Sequence, residues 1–301
     1  GASSGTVTFD GRFTVAAGSY VGCVGDLTLT GGLTVSGGSF NGGSGNIDTN
    51  NSFILSGAST TFTSTTGTFF VSGAWTHTTD GTFTHNSGTV TLDGAAATID
   101  VNTTETFNNL TINATAGVIK TITSDDTLIA TGTLTLTEGN VGTGTLEARG
   151  EIAHGAAFDG GTGVLNITQG IADIGLTSGG QLPVTTLSAS RTVNGPATGT
   201  VTFDGLFTVS TGSFVGGAGE VVYTGGLTVS GGSYNGGSGS NDLNGALTLS
   251  GASTTFTATS GVMTASGAWT HTTDGTFTHN SGTVTLDGAA ATIDVNTTET
   301  F

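Results

Sequence analysis

Basic residues are scarce in this 301-residue chain, and their scarcity excludes whole classes of function. Four Lys and Arg face 21 Asp and Glu, which gives a formal net charge of -17. A nucleic-acid-binding protein needs cationic side chains to displace the counterions of the phosphates, so nucleic acid is excluded as a partner. For the same reason the sequence offers no polybasic segment that would hold the protein at an anionic membrane surface.

Cysteine, proline and long apolar runs are scarce as well. One Cys means that no disulfide can form within the chain, so packing and hydrogen bonds must hold the fold. No apolar run approaches the ~20 residues of a membrane-spanning helix, which argues against membrane insertion. With 2 Pro and 8% charged residues, the composition also differs from that of most disordered chains, which are rich in both.

The chain repeats itself at an offset of 194 residues. Residues 1–107 and 195–301 are identical at 80 of their 107 aligned positions, and Ser72–Phe107 recurs without change as Ser266–Phe301. We therefore divide the chain into a first copy at 1–107, a less regular block at 108–194 that completes the repeat, and a second copy at 195–301. This organisation predicts one continuous solenoid that belongs to a longer tandem array.

A shorter period of 20 to 22 residues lies inside each copy. Four segments follow one another in the first copy, each with two short alternating runs and a Gly-rich close: Thr6–Gly25, Asp26–Gly45, Asn46–Gly67 and Thr68–Gly88. Self-similarity at such a period is typical of solenoids. The runs alternate apolar residues with Thr or Ser, as in Leu33-Thr34-Val35-Ser36, and this is the period of a strand.

These features predict an all-β fold, a right-handed parallel β-helix (β-solenoid) with coils of about 20 to 24 residues. Aligning the segments places like residues in columns that should point into one core. The columns of the first copy are Phe13, Leu33, Phe53 and Trp75; Val15, Val35, Leu55 and His77; and the aromatic column Tyr20, Phe40, Phe62 and Phe83. In the second copy the aromatic column is Phe214, Tyr234, Phe256 and Phe277. The least regular stretch is Ile171–Pro183, where we expect a bulge or loop.

Two runs carry a family resemblance: TFNNLTINATAG at Thr106–Gly117 and GTLTLTEGNVGTG at Gly132–Gly144. In these runs, and in the low-complexity style of most of its length, the chain resembles giant tandem-repeat extracellular surface proteins with β-solenoid repeats, such as filamentous adhesins and autotransporter passengers. The resemblance implies an extracellular or cell-surface location and a structural or adhesive role. It brings no catalytic residue to this sequence.

The acidic residues are numerous, but many occupy predicted turns. Seven precede Gly, a pair typical of turns because Asp hydrogen-bonds the local backbone and Gly accepts positive φ: Asp10, Asp80, Asp93, Asp159, Asp204, Asp274 and Asp287. The segment Gly42–Asp48 is similar to a calcium-binding Gly-rich nonapeptide, but its Asp comes one residue late and the motif has no tandem copies. The sequence therefore predicts no cofactor, with calcium as the alternative that the acidity leaves open.

Two histidines and an aspartate invite a metal interpretation in each copy: His77, Asp80 and His85, and His271, Asp274 and His279. Imidazole and carboxylate groups bind zinc. The column alignment points His77 inward, however, and duplication alone explains the recurrence, so we expect a partly buried, hydrogen-bonded His and no metal site. No basic cluster, nucleophile elbow or phosphate-cradling loop occurs in the sequence, which predicts no catalytic residues and no enzyme.

The sequence thus predicts a structural component of an extracellular fibre, stalk or surface filament built from 194-residue repeats. Its partner would be itself, either head-to-tail or as a continuous longer chain. An adhesin or glycan-binding surface module is the alternative, and it would need aromatic side chains that face outward in a groove. Ice binding is a weaker alternative, because Thr-x-Thr runs such as Thr6–Thr8 recur but Leu33–Val35 and Phe53–Leu55 interrupt them.

Overall fold

The computed structural model describes residues 4–170, 173–271, 274–289, 291–296 and 298–301. Among these residues every regular element is a β-strand, and no helix occurs. The strands pair in parallel with strands one coil away. The prediction of an all-β parallel β-solenoid is therefore confirmed. The chain forms two compact units, Gly1–Gly150 (unit 1) and Glu151–Phe301 (unit 2).

The strands of unit 1 are short, and most of them have three to six residues. They are β1 (Thr6–Phe9), β2 (Phe13–Val15), β3 (Ser19–Val21), β4 (Asp26–Leu29), β5 (Leu33–Val35), β6 (Ser39–Asn41), β7 (Ile47–Thr49), β8 (Phe53–Leu55), β9 (Thr61–Thr63), β10 (Thr68–Val71), β11 (Trp75–His77), β12 (Thr82–Thr84), β13 (Thr89–Gly94), β14 (Ala97–Val101), β15 (Thr104–Phe107), β16 (Asn109–Ala114), β17 (Ile119–Ile122), β18 (Thr127–Ala130), β19 (Thr133–Gly142) and β20 (Thr145–Ala148).

The strands of unit 1 form the faces of stacked coils. One face has the order β1-β4-β7-β10-β13-β16-β19 and a second has the order β2-β5-β8-β11-β14-β17. The long strand β19 pairs with both β16 and β17 and so joins these two faces. Two shorter faces have the orders β3-β6-β9-β12 and β15-β18-β20.

Unit 2 repeats this construction with three faces. Its strands are β21 (Glu151–Phe158), β22 (Val164–Ile167), β23 (Ile174–Gly175), β24 (Gln181–Leu182), β25 (Val184–Leu187), β26 (Thr192–Asn194), β27 (Thr200–Phe203), β28 (Phe207–Val209), β29 (Ser213–Val215), β30 (Glu220–Tyr223), β31 (Leu227–Val229), β32 (Ser233–Asn235), β33 (Asn241–Leu243), β34 (Leu247–Leu249), β35 (Thr255–Thr257), β36 (Val262–Ala265), β37 (Trp269–His271), β38 (Thr276–Thr278), β39 (Thr283–Leu286) and β40 (Ile293–Val295). The faces have the orders β22-β25-β28-β31-β34-β37-β40, β23-β26-β29-β32-β35-β38 and β24-β27-β30-β33-β36-β39.

The strand register gives the length of each coil. Val7 lies beside Leu27, 20 residues further on, and Thr111 lies beside Thr135, 24 residues further on. The coil between Thr127 and Thr145 has only 18 residues, which is shorter than predicted. The shortening falls in the block at 108–194, whose sequence is the least periodic.

The predicted columns form the core, although Phe13, Tyr20, His77, Phe83 and Phe277 are only half-buried in it. Phe13, Leu33, Phe53 and Trp75 are successive partners on one face. In the aromatic column the rings of Phe40 and Phe62 stack with centroids 4.9 Å apart, and those of Tyr234 and Phe256 stack at 4.6 Å. Because these four rings are buried between the rings of neighbouring coils, one coil cannot bury its core alone.

The corners of the coils depend on glycine where neighbouring backbones approach closely. Gly38 has a φ of +78°, and a Cβ there would overlap the carbonyl oxygen of Gly18 on the preceding coil. The predicted irregular stretch Ile171–Pro183 begins with two residues that lie outside the described part of the chain. The rest of it contains only the two-residue strands β23 and β24.

Candidate functional site

The last coil of unit 2 has the same sequence as a coil of unit 1 but a different burial. Leu92, Ile99 and Phe107 are at most 1% exposed, whereas their counterparts are 44%, 48% and 49% exposed at Leu286, Ile293 and Phe301. In unit 1 the cause is visible, because β16 and β17 pair with β13 and β14 and cover that face. Among the residues that the structure describes, the last coil thus presents a face of exposed apolar side chains and strand edges with no further strand beside them.

The first coil of unit 1 has an open face of the same kind. Phe9 is 38% exposed, whereas its counterpart Phe203 in unit 2 is fully buried. In unit 2 the strands β24 and β25 pair with β27 and β28 and cover that face. Each open face therefore has a covered counterpart within the chain, and the cover is another coil of the solenoid.

The histidines and aspartates that were considered as metal ligands do not form a common site among the described residues. The Nδ1 atom of His77 lies 2.6 Å from Oε2 of Glu105, and the two side chains are 12% and 8% exposed. His85 instead accepts a hydrogen bond from the backbone N–H of Ser87 at 3.0 Å. In the described part of the chain, no group of three or more His, Cys, Asp or Glu side chains could hold a metal ion.

Glu105 is the partner of His77 that sequence reasoning missed. Its hydrogen bond raises the pKa of His77 above the ordinary value of a histidine, although burial acts in the opposite direction. The pair recurs in unit 2, where Nδ1 of His271 lies 2.6 Å from Oε2 of Glu299. The spacing of 28 residues recurs in both copies, but the two segments are identical, so the recurrence is no independent signal of the pair.

A cavity of about 420 Å³ lies beside the second of these pairs. Its lining consists of Ala252, His271, Asp274, Gly275, Val295, Asn296, Thr298 and Glu299. The contact between Nδ1 of His271 and Oε2 of Glu299 fixes the orientation of the ring. The described lining thus brings the imidazole of His271, the carboxylates of Asp274 and Glu299 and the hydroxyl of Thr298 to one depression.

The seven acidic residues of the Asp-Gly pairs lie in different backbone environments, and among them Asp159 makes an isolated bridge with Gln181 and Asp287 lies outside regular structure. Asp10, Asp80, Asp204 and Asp274 lie in bends, as the turn interpretation predicts. Asp93 lies in β13 instead, where its carboxylate accepts the hydroxyl of Ser72 at 2.8 Å, so the turn interpretation is wrong there.

The aspartate of the calcium-like segment Gly42–Asp48 also lies in a strand. Asp48 is the middle residue of β7, beside Thr28 on one side and Phe70 on the other. Burial, with a smaller contribution from the charge of Asp93, raises the pKa of Asp48. A side chain in a straight strand cannot wrap a cation as a Gly-rich loop does, because the loop brings backbone carbonyls to the ion as well.

Lys120 is a fully buried basic residue in unit 1. Its Nζ donates hydrogen bonds to the carbonyl oxygens of Ala95 at 2.7 Å, of Ser72 at 3.3 Å and of Asp93. Burial lowers the pKa of Lys120 to about 8, and the charge of Asp93 opposes this shift. Three donors of one ammonium group meet three carbonyls, which indicates a structural role for this side chain.

The outer face of unit 2 carries one uninterrupted column of threonines. Five successive coils contribute in register: Thr186, Thr208, Thr228, Thr248 and Thr270. In unit 1 the equivalent column is interrupted by Ile54. The search for Thr-x-Thr runs missed this column, because the position two residues later is Ser on four of the coils, at 188, 210, 230 and 250.

Comparison of the chain with family models, with curated proteins and with solved structures found no match. In the part of the chain that the structure describes, no helix is long and apolar enough to cross a membrane. The geometry of the coils and of their open faces is therefore the basis on which a function can be inferred.

Proposed function

We propose that this chain is a structural component of an extracellular fibre, stalk or surface filament, and that its coils stack end to end. The stacked aromatic columns and the parallel ladders give the chain a repeating axial construction. The scarcity of Lys and Arg leaves few trypsin-type cleavage sites, which suits an exposed location outside a cell. The resemblance to giant tandem-repeat surface proteins is consistent with this location.

The observation that carries the proposal is the different burial of one sequence in two places. Ile99 is fully buried beneath the next coil, and Ile293 in the identical segment is 48% exposed. Burying a large apolar side chain is worth about 1.5–3 kcal/mol, so covering Leu286, Ile293 and Phe301 favours the addition of a further coil. In the described part of the chain no further strand pairs with the outer edges of β39 and β40, so these edges offer N–H and C=O groups to the same coil.

The charge of the chain decides how such coils associate. A net charge of -17 disfavours side-by-side aggregation, because the acidic outer faces repel one another. Salt screens this repulsion over about 8–10 Å at physiological ionic strength. We therefore expect end-to-end association to strengthen with salt, whereas lateral bundling stays weak.

Electron microscopy and light scattering of the 301-residue chain test the proposal. We expect thin filaments of uniform width whose length grows with protein concentration and with salt. Ile293→Lys should shorten them, because it places a charge on the open face without disturbing a covered core. Thr228→Lys adds the same charge to an outer face and is the matched control. A monodisperse monomer at high protein and salt concentration would contradict the proposal.

A further inference from the structure

An aromatic side chain lies on the outer face of unit 1, away from the open faces. In β10 the residues Phe69 and Val71 are fully buried, so the alternation of the strand places Phe70 between them on the outside. Phe70 is half-buried there. The large aromatic residues of the predicted columns point inward, which makes the outward position of Phe70 an exception that the core does not explain.

The neighbours of Phe70 make a polar groove beside its ring. Asp48 is its register partner on β7, and Thr28 is the partner of Asp48 on β4. The groove has a volume of about 180 Å³ and is lined by Thr6, Asp26, Leu27, Thr28, Asn46, Asp48 and Phe70. An aromatic ring, two carboxylates, an amide and hydroxyl groups thus converge on one depression.

The polar groups of this groove are held in place by the backbone. Oδ1 of Asp26 accepts the backbone N–H of Asn46 at 2.8 Å. Oδ1 of Asn46 accepts the backbone N–H of Thr68 at 3.0 Å. The Nδ2 donor of Asn46 is therefore on the side of the amide away from Thr68. Preorganised groups of this kind favour binding, because little side-chain entropy is lost when a ligand arrives.

The chemistry of the groove selects a cation that also carries hydroxyl groups. The carboxylates of Asp26 and Asp48 attract a cation, and the ring of Phe70 beside them offers an apolar surface to the ring of a sugar. The ion pairs of the described part of unit 1 join His77 to Glu105 and Arg149 to Glu147, and neither uses these two aspartates. Asn46 and Thr28 add a donor and a hydroxyl that suit the hydroxyl groups of a sugar.

We propose that this groove binds an amino sugar, with the sugar ring on Phe70, the protonated amine at Asp48 and Asp26, and hydroxyl groups at Asn46 and Thr28. The site would give the chain an adhesive function in addition to the structural one. It does not depend on end-to-end stacking, because every residue involved lies on an outer face of unit 1.

The second copy supplies a natural comparison for this site. It has Thr264 in place of Phe70, Val222 in place of Thr28 and Ser240 in place of Asn46. The carboxylates persist as Glu220 and Asp242, so the second copy keeps the charge and loses the ring. The proposal therefore assigns binding to unit 1 alone.

Titration calorimetry of the full chain with the hexamer of glucosamine tests the proposal. The N-acetylated hexamer is the neutral control, and spermine is the control for charge without a sugar ring. We expect saturable binding of the glucosamine hexamer at one site. Phe70→Thr should weaken it roughly 3- to 30-fold, because it removes the apolar surface that the sugar ring contacts. Thr264→Ala in the second copy should leave the affinity unchanged.

Further variants separate a specific site from general attraction to an acidic protein. Asp48→Asn and Thr28→Val should each weaken the glucosamine hexamer, and circular dichroism shows whether they keep the fold. An affinity that is unchanged by Phe70→Thr and by Asp48→Asn would overturn the proposal. Equal affinity for the acetylated hexamer, or equal dependence of spermine binding on Phe70, would overturn it as well.

Discussion

Three equivalent core positions hold apolar residues in the first copy and residues with polar groups in the second copy. The first copy fills them with Leu29, Phe40 and Ile47, and the second with Tyr223, Tyr234 and Asn241. All six side chains are at most 1% exposed. In the second copy the two tyrosine hydroxyls lie 2.9 Å apart, and that of Tyr234 donates to Oδ1 of Asn241 at 2.8 Å.

The difference shows what the stacked core requires. In this cluster every polar side chain has a partner, and Nδ2 of Asn241 completes the set by donating to the carbonyl of Gly236 at 3.4 Å, whereas the indole Nε1 atoms of Trp75 and Trp269 are buried without a partner among the described residues. Burial raises the pKa of both tyrosines, so they remain neutral and able to donate. The coils thus depend on shape and on satisfied hydrogen bonds, and not on apolar composition alone.

The largest effect is expected from a charge in the apolar copy. Phe53 is fully buried between Leu33 and Trp75, so Phe53→Asp removes a ring and leaves an unpaired carboxylate in the column. We expect unit 1 to lose more than about 4 kcal/mol of unfolding free energy near the substitution. Segment-resolved hydrogen exchange measures the loss.

The same measurement tests whether a solenoid fails locally. Because coils contact only their neighbours, increased exchange should stay within a few coils of residue 53. Leu247→Asp at the equivalent position of the second copy is the matched variant, and its effect should stay within unit 2. Uniform exchange along the whole chain in either variant would contradict the nearest-neighbour account.

Importing the polar residues into the apolar copy sharpens the comparison. Ile47→Asn alone places an amide where Leu29 and Phe40 offer no partner, and we expect a loss of about 1–3 kcal/mol. Adding Leu29→Tyr and Phe40→Tyr supplies the partners seen in the second copy. The triple variant should therefore be more stable than the sum of the single variants predicts, measured by urea unfolding. Strict additivity would show that the network has no coupling energy.

Lys120 distinguishes unit 1 further, because unit 2 contains no lysine. Lys120→Met removes the donor from the carbonyls of Ser72, Asp93 and Ala95, and the expected cost at pH 7 is about 1–3 kcal/mol. Burial lowers the folded-state pKa to about 8, below the usual 10.5. The unfolded chain therefore binds more protons in that interval, and this residue makes stability rise from pH 8 towards 10.5.

The pH dependence separates the charge of Lys120 from its packing. Unfolding free energies of the parent chain and of Lys120→Met should diverge between pH 8 and 10.5, because only the parent contains the titrating group. Arg149→Met removes a surface cation and should leave the slope of the parent unchanged. Parallel curves for the parent and Lys120→Met would show that the ammonium has its ordinary pKa.

The smallest effect concerns His77 and Glu105. Their hydrogen bond raises the pKa of His77 in the folded state. The stabilisation that this pair gives to the fold is therefore complete below the pKa of His77 in the unfolded chain, and it is lost as the pH rises through the pKa of the folded state. Glu105→Gln should lower the pKa of His77 and cost about 0.5–1.5 kcal/mol at acidic pH. NMR titration of the imidazole resonances checks the first result. An unchanged titration midpoint would show that Glu105 does not hold the proton.

Period and alternation predict most of the fold, because they directly determine which face a residue occupies. The columns through Phe53 and Phe62 follow from spacing alone. The groove at Phe70 could not be predicted in this way. Phe69, Phe70 and Val71 form an apolar run, so the sequence does not show which of them faces outward. The turn prediction is wrong for Asp93 because the Asp-Gly pair is only a local signal. The pairing of β13 with β10 and β16 holds this segment in a strand.

The sequence also could not predict side-chain contacts between residues that are more than one coil apart along the chain. Glu105 reaches His77 over 28 residues, and Lys120 reaches Ser72 over 48. Such contacts depend on how far each side chain extends across the narrow core. A column alignment gives the direction of a side chain but not its reach.

The proposed fibre requires that the 194-residue repeats stack along a single axis, and the contour length of tandem arrays tests this proposal most directly. With about eight or nine coils per repeat and ~4.8 Å per coil, each added repeat should lengthen the particle by roughly 38–43 Å. Electron microscopy of arrays with increasing numbers of repeats should therefore give a straight line of that slope at constant width. A particle that widens as repeats are added, with little gain in length, would contradict the continuous solenoid and the proposed fibre.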